Sequence, residues 1–383
     1  MLPLSGIKVV EFCEVAAGPF SSMLLADMGA DVIKVERPGG DAMRSWPPIS
    51  DGYSENFASI NRNKRSVVLD MKTEEGLANA RQLILKSDIV LENFRPGVMK
   101  RLGLGYEALS LEKPELIFCS ISAFGQTGPR STEGGFDLTM QAMAGVMSVT
   151  GEPGGSPVKC GVPLCDFVSA LYGAFSVVSV LQERARTGKG RHIDIAMMGA
   201  TLAISALQTS EYFGTGNDPK KLGSAHPRNA PYQAFKARDG YFGMAAGNNN
   251  LWFLVCDVIG REDLKRHELY TNPTMRASNQ ATLLETLEEI FVTQSMEHWL
   301  EKFSEVGVPC SPINNFSDAL KDPQVGYMEW VKTMTLANGV DTRTFGSPIR
   351  LDNETLDIRQ RPPALGEHTD EVIAELAEMS KAS

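Results

Sequence analysis

A short apolar run, a helical run and a second apolar run open this chain, and that order constrains the fold more than anything after it. Ile7–Phe12 reads as a strand, Pro19–Met28 as a helix and Asp31–Glu36 as a second strand. This βαβ unit is the usual start of a doubly wound parallel sheet. The pattern recurs at Ser66–Asp70, Ile89–Glu92 and Leu116–Ser120, with a helix over Glu74–Lys86. A long helical run, Phe167–Arg186, then feeds the turn 186–191 and a strand at His192–Ile195. The stretch Gly214–Asn229, rich in Gly, Asn, Asp, Pro and Lys, reads as a linker or mobile loop. Beyond it, Tyr232–Ala237 and Tyr241–Ala246 predict a hairpin around Arg238–Gly240, followed by helices at Asn250–Ile259, Ala277–Phe291 and Met296–Val306. Thr344–Pro348 and His368–Met379 return to strand and helix. We therefore expect an α/β chain with a large domain from residues 1–213 and 331–383, and a linker plus smaller α+β domain from 214–330.

At 383 residues the chain is long for a single core. Its 43% hydrophobic and 22% charged content is that of an ordinary soluble enzyme. A formal net charge of −10 argues against nucleic acid or an anionic membrane as partner. The six cysteines form no CxxC pair and stand at no zinc-ligand spacing with histidine, so no metal is expected and a reducing cytoplasm fits. The N-terminus lacks a basic region ahead of a long apolar run, which argues against a signal peptide. Phe167–Leu181 is too short to span a bilayer and reads as a buried core helix.

Asp166 opens that helical run, directly after Gly161–Cys165. A carboxylate there is expected to lie against the helix's first N–H groups, which would keep it ionised and aimed. Such a group can attack an activated acyl carbon; a plain helix cap is the competing reading. A dinucleotide-dependent oxidoreductase would also begin βαβ, with Glu36 placed for a ribose. The first turn, Cys13–Pro19, however, lacks the GxGxxG fingerprint.

A series of motifs resembles the family III CoA-transferases, the group of formyl-CoA and carnitine-CoA transferases and the related 2-methylacyl-CoA racemases. It runs through Leu4–Phe12, Ala17–Pro19, Gly29–Pro38, Asn61–Ser66, Leu69–Lys72, Glu92–Gly97, Ile121–Pro129, Gly161–Asp166 and Arg184–Gly190, then Ala245–Asn248 and Gly307–Ile313. The motifs keep their order over nearly the whole chain. The resemblance implies a Rossmann-like large domain, a small domain and an interlocked homodimer. It also implies that coenzyme A and acyl-CoA act as substrates, with no tightly bound cofactor. Asp166 matches the nucleophile that forms a mixed anhydride and then an aspartyl-CoA thioester. Arg37, Leu69, Lys72, Asn93, Phe94 and Arg101 match CoA contacts, and Val15 and Ala16 lie beside the nucleophile. Ala16 stands where formyl-CoA transferases carry Gln, which argues against formate–oxalate exchange. Phe136 replaces the proton-abstracting His of the racemases, so transfer is favoured over racemisation; Phe136 and Asp137 are candidate CoA contacts, with a hydrogen-bonded scaffold acid as the competing role of Asp137. Gly247 and Asn248 match a loop that closes over the nucleophile, or serve as an ordinary cap. Arg44 and Arg228 are candidates for the distal carboxylate of a dicarboxylic acceptor, with loop ion pairing as the competing role. Succinyl-CoA and a dicarboxylic acid are the expected substrate class.

Overall fold

The computed structural model describes residues 1–381. The chain divides into two compact units. The larger joins Met1–Val146, Lys159–Gly216 and the stretch from Pro323 onward; the smaller joins Met147–Val158 and Asn217–Asp322.

Six strands form the centre of the larger unit: β1 (Lys8–Phe12), β2 (Asp31–Glu36), β3 (Lys64–Val68), β4 (Ile89–Glu92), β5 (Ile117–Ser122) and β6 (His192–Ala196). Their order is β3-β2-β1-β4-β5-β6, and every neighbouring pair is parallel. Because side chains alternate along a strand, the sheet feeds two cores. Val9, Val32, Leu91 and Ile121 pack with residues of helices α1 (Ala17–Asp27) and α3 (Leu164–Thr187). Val10, Ile33, Val67 and Phe118 pack with residues of α2 (Glu74–Lys86) and the C-terminal helix Thr369–Lys381. Helices on both faces explain why the central strands are largely apolar.

The interruptions that do occur are charged and lie side by side. Glu11 on β1, Lys34 on β2 and Lys64 on β3 have fully buried side chains. Lys64 meets Glu11 at 3.0 Å, and Lys34 meets Asp41 at 2.9 Å. Burial opposes the Lys34 charge, but Glu11 and Asp41 outweigh it and hold its pKa above the ordinary lysine value. Charges buried this deeply persist only as a mutually satisfied set.

Helix α3 departs from the expected buried helix. Val168, Ala170, Ala174 and Val177 are buried, but Leu171, Phe175 and Val178 are 54%, 71% and 44% exposed. By length and composition the helix could cross a membrane, yet one of its faces is part of the sheet's core. Its apolar character therefore serves two faces, of which this chain covers one.

In the smaller unit, β7 (Tyr232–Lys236), β8 (Tyr241–Ala245) and β9 (Cys310–Pro312) form an antiparallel sheet in the order β9-β8-β7. It carries an aromatic core of Phe235, Phe242, Phe291, Trp299 and Phe303. Helix α4 (Asn249–Val258) follows β8.

Candidate active site

Because all six strands run the same way, the turns leaving their C-terminal ends gather along one edge. Between β1 and β4 the winding reverses, and α/β sheets bind ligands at such switch points. A cavity of about 510 Å³ lies there. Its walls include the turn after β1 (Glu14–Ala17), the turn after β4 (Asn93–Pro96), the end of β5 (Ile121–Ala123), the loop Glu133–Phe136, and Asp166.

Asp166 is the third residue of α3, not its cap. The carboxylate that caps this helix comes from elsewhere: Asp137 Oδ1 accepts the Cys165 N–H at 2.9 Å. Gln141, fully buried, donates to Asp137 Oδ2 at 2.7 Å and accepts the Cys160 N–H at 2.8 Å. The loop that presents Asp166 is thus fastened by Asp137 and Gln141. Relieved of capping, the Asp166 carboxylate has no hydrogen-bond partner among the described residues and lines the cavity. Burial, and secondarily the Asp137 charge, push its pKa up to about 6. This corrects the expectation that the helix end favours ionisation: the surroundings make Asp166 more basic than an ordinary aspartate. It is still mostly ionised at pH 7 and a better nucleophile for its raised basicity.

Val15 and Ala16 line the cavity. Phe94 does too, half-buried, and Phe136 stands 74% exposed at its wall. No histidine lines the cavity. Asn93 is engaged differently: its carboxamide accepts the Glu14 N–H at 3.0 Å and donates to the Glu14 carbonyl at 2.8 Å. Leu69 is buried in the core, and its backbone N–H donates to the Glu36 carbonyl at 2.9 Å; it is not among the residues lining this cavity.

Arg37 follows β2 and pairs at 3.3 Å with Glu14, its side chain 59% exposed. Lys72 lies in the turn after β3 and Arg101 in the short helix after β4; both are exposed, with no carboxylate partner among the described residues. Arg95 was passed over by sequence reading although the ENFRPG motif contains it. It lines the cavity without an ion pair among the described residues, packed so closely that a Cβ at Gly134 would lie 2.9 Å from its Nη2. In a chain of net charge −10, Arg37, Lys72, Arg95 and Arg101 thus all follow the C-terminal ends of β2, β3 and β4, and of these Arg95 lines the cavity.

Arg44 is held by partners within the chain and is not among the residues lining this cavity. Its fork grips both Glu36 oxygens, at 2.7 and 2.6 Å, and its guanidinium lies 3.8 Å over the Phe57 ring. Glu36, the acid a ribose would need, is consumed by the same pair. Arg228, Gly247 and Asn248 belong to the smaller unit. Asn248 caps α4, accepting the Leu251 N–H at 2.9 Å. Gly247 packs so tightly that a Cβ there would lie 2.6 Å from that of Asn229.

The chain matches the CoA-transferase family III model over residues 4–369 and belongs to that family. It is similar to a succinate–glutarate CoA-transferase of Agrobacterium fabrum, at 36% identity over 100% of this chain and 97% of the relative. It is also similar to the human succinyl-CoA:glutarate CoA-transferase, at 36% identity over 98% of this chain and 86% of that one. Among solved structures, a CAIB/BAIF family protein from Brucella suis superposes with a TM-score of 0.87 at 39% identity, covering 98% of this chain and 99% of the other. The chain is accordingly a CoA-transferase, acting on CoA thioesters and carboxylic acids.

Proposed function

We propose that this enzyme moves CoA from succinyl-CoA to a dicarboxylic acid through covalent intermediates on Asp166. The observation that carries this reading is a basic, hydrogen-bond-free carboxylate facing the cavity at the sheet's switch point. The Asp166 carboxylate attacks the thioester carbonyl; the C–S bond breaks, releasing CoA thiolate and leaving a mixed anhydride. The thiolate then attacks the aspartyl carbonyl, expelling succinate and giving an aspartyl-CoA thioester. The acceptor carboxylate attacks that thioester and releases the thiolate again, which takes the acceptor's acyl group and frees Asp166. One thioester replaces another throughout, so no external energy source is needed. Arg37, Lys72, Arg95 and Arg101 are suited to the phosphates of CoA, and Phe94 to its adenine face. Arg95 is also suited to an acceptor carboxylate. The substrate class rests on the relatives' names. We further propose a homodimer, supported by the exposed apolar face of α3.

Incubation with succinyl-CoA, trapping with hydroxylamine and peptide mapping tests the chemistry. A hydroxamate confined to the Asp166 peptide is expected. No adduct, together with exchange of an α-proton of a 2-methylacyl-CoA in heavy water, would sink transfer in favour of racemisation.

The pair Asp137–Asp166 has its own signature. Glu14, Glu133 and Arg95 also line the cavity, but after burial it is the Asp137 charge that raises Asp166. Asp137→Asn keeps an acceptor for the Cys165 N–H while removing that charge. The acid limb of kcat/KM, set by deprotonation of Asp166 near pH 6, is expected to move to lower pH without reaching the ordinary aspartate range, since burial persists. A pH profile from 4.5 to 8 decides the matter, and an unmoved limb would remove Asp137 from the account.

A further inference from the structure

The turn between β1 and α1 is held by its backbone from three sides. Lys34 Nζ donates to the Cys13 carbonyl at 2.7 Å. The Asn93 carboxamide closes a pair of hydrogen bonds on Glu14, accepting from its N–H and donating to its carbonyl. The Val15 N–H donates to both Asp41 oxygens, at 3.1 and 3.3 Å. Asp41 is itself fixed by Lys34 at 2.9 Å and by the Met43 N–H at 2.9 Å. So much restraint has a visible purpose. Val15 sits at φ +65°, a region that is strained for a β-branched residue and in which it persists only when its surroundings dictate it. Gly18 completes the fit: a Cβ there would lie 2.4 Å from Cys13 Sγ and 3.3 Å from Asn93 Cγ. The next residues, Val15, Ala16 and Ala17, form the wall of the cavity that also holds Asp166.

We propose that Asn93 is a positioning residue for acyl transfer rather than a contact for CoA: by gripping Glu14 from the neighbouring strand it holds the Val15–Ala17 wall in register with Asp166. Both hydrogen-bonding ends of its carboxamide are used on the protein, which leaves a ligand little to take. Lys34 and Asp41 act on the same turn from the opposite side, through the buried charges beneath it. The inference rests on Asp166 being the nucleophile.

Two variants separate positioning from contact. In Asn93→Ala the grip is lost; in Asn93→Asp the acceptor for the Glu14 N–H survives and the donor to its carbonyl does not. Single-turnover acylation of Asp166 by succinyl-CoA, followed by quenching and peptide mass spectrometry, is expected to slow about 10–100-fold in the Ala variant, as for a misplacement of about an ångström. The Asp variant is expected to fall between it and the parent. CoA affinity by calorimetry should stay within about threefold in both, since a uniform binding contact is not what is removed. Weakened CoA binding with an unchanged acylation rate at saturation would overturn the proposal. Should the Ala variant fail to fold, the Asp variant alone decides, because a contact role predicts weaker binding and a positioning role predicts slower acylation. A parent enzyme that forms no Asp166 adduct removes the nucleophile itself, a result distinct from a parent that acylates and an Asn93 variant that keeps pace with it.

Discussion

Asp166→Asn is expected to abolish transfer and to make the protein more stable. The loss should be about 10³-fold or more in kcat/KM, as when a covalent nucleophile is removed from a site that still binds substrate, with CoA affinity largely kept. The gain follows from the raised basicity of the carboxylate, about 6 in the folded chain against about 3.9 in an unfolded one. Below pH 4 both states are protonated and the group costs nothing. Between pH 4 and 6 the unfolded chain ionises first, and stability falls as pH rises. Above pH 6 the cost is complete. Allowing for the side chain's partial exposure, it amounts to roughly 1–2 kcal/mol, which a neutral amide would recover. The melting temperature at pH 7.5 should thus rise by about 2 °C, and the advantage should vanish at pH 4. A variant that is equally inactive but less stable at neutral pH would mean that the carboxylate is a structural anchor and not a strained reactant.

The fold was legible where chemistry is periodic. β2, β4 and α2 fall on the residues expected of them, and the remaining strands of the parallel sheet shift by a few positions. Burial of the central strands on both sides leaves largely apolar runs that a reader of sequence can see. The site was legible by residue type and not by role. Asp166 lines the cavity, but the helix begins two residues before it, and its cap is supplied by Asp137, 28 positions from the Cys165 N–H it accepts. No local pattern reveals that substitution, because the hydrogen bond crosses between two elements. The same holds for Arg44, whose partner Glu36 is set by the curl of the loop after β2. In the sequence Asn93 is a candidate ligand contact only through its match to the family's motif, and only the approach of the β1 turn shows where its amide goes. The left-handed Val15 escapes sequence reading altogether, since valine is the residue one would least place there.

Phe175→Glu is expected to turn a dimer into a monomer. On α3 the positions 171, 175 and 178 recur at four and three residues and so share a face, and all three are exposed apolar side chains. The later helix Ala206–Thr215 adds Leu207 and Phe213, 61% and 81% exposed. Residues that bury the opposite face of α3 are Ala and Val packed on the sheet, so the helix is apolar all round, as a helix is when both faces are covered. A bilayer is a poor second cover, since α3 carries Asp166 in its first turn and Arg184 and Arg186 in its last, and its inner face belongs to a soluble core. The proposed second copy would present the same apolar face in return. Placing a carboxylate at the centre of such a contact should weaken association by about 3–4 kcal/mol, or roughly 10²–10³-fold. Sedimentation at micromolar concentration should show the parent as a dimer and the variant as a monomer. Each should leave phosphatidylcholine vesicles unbound. A parent that sediments as a monomer would sink the homodimer, and a parent that floats with vesicles would hand this face of α3 to a membrane.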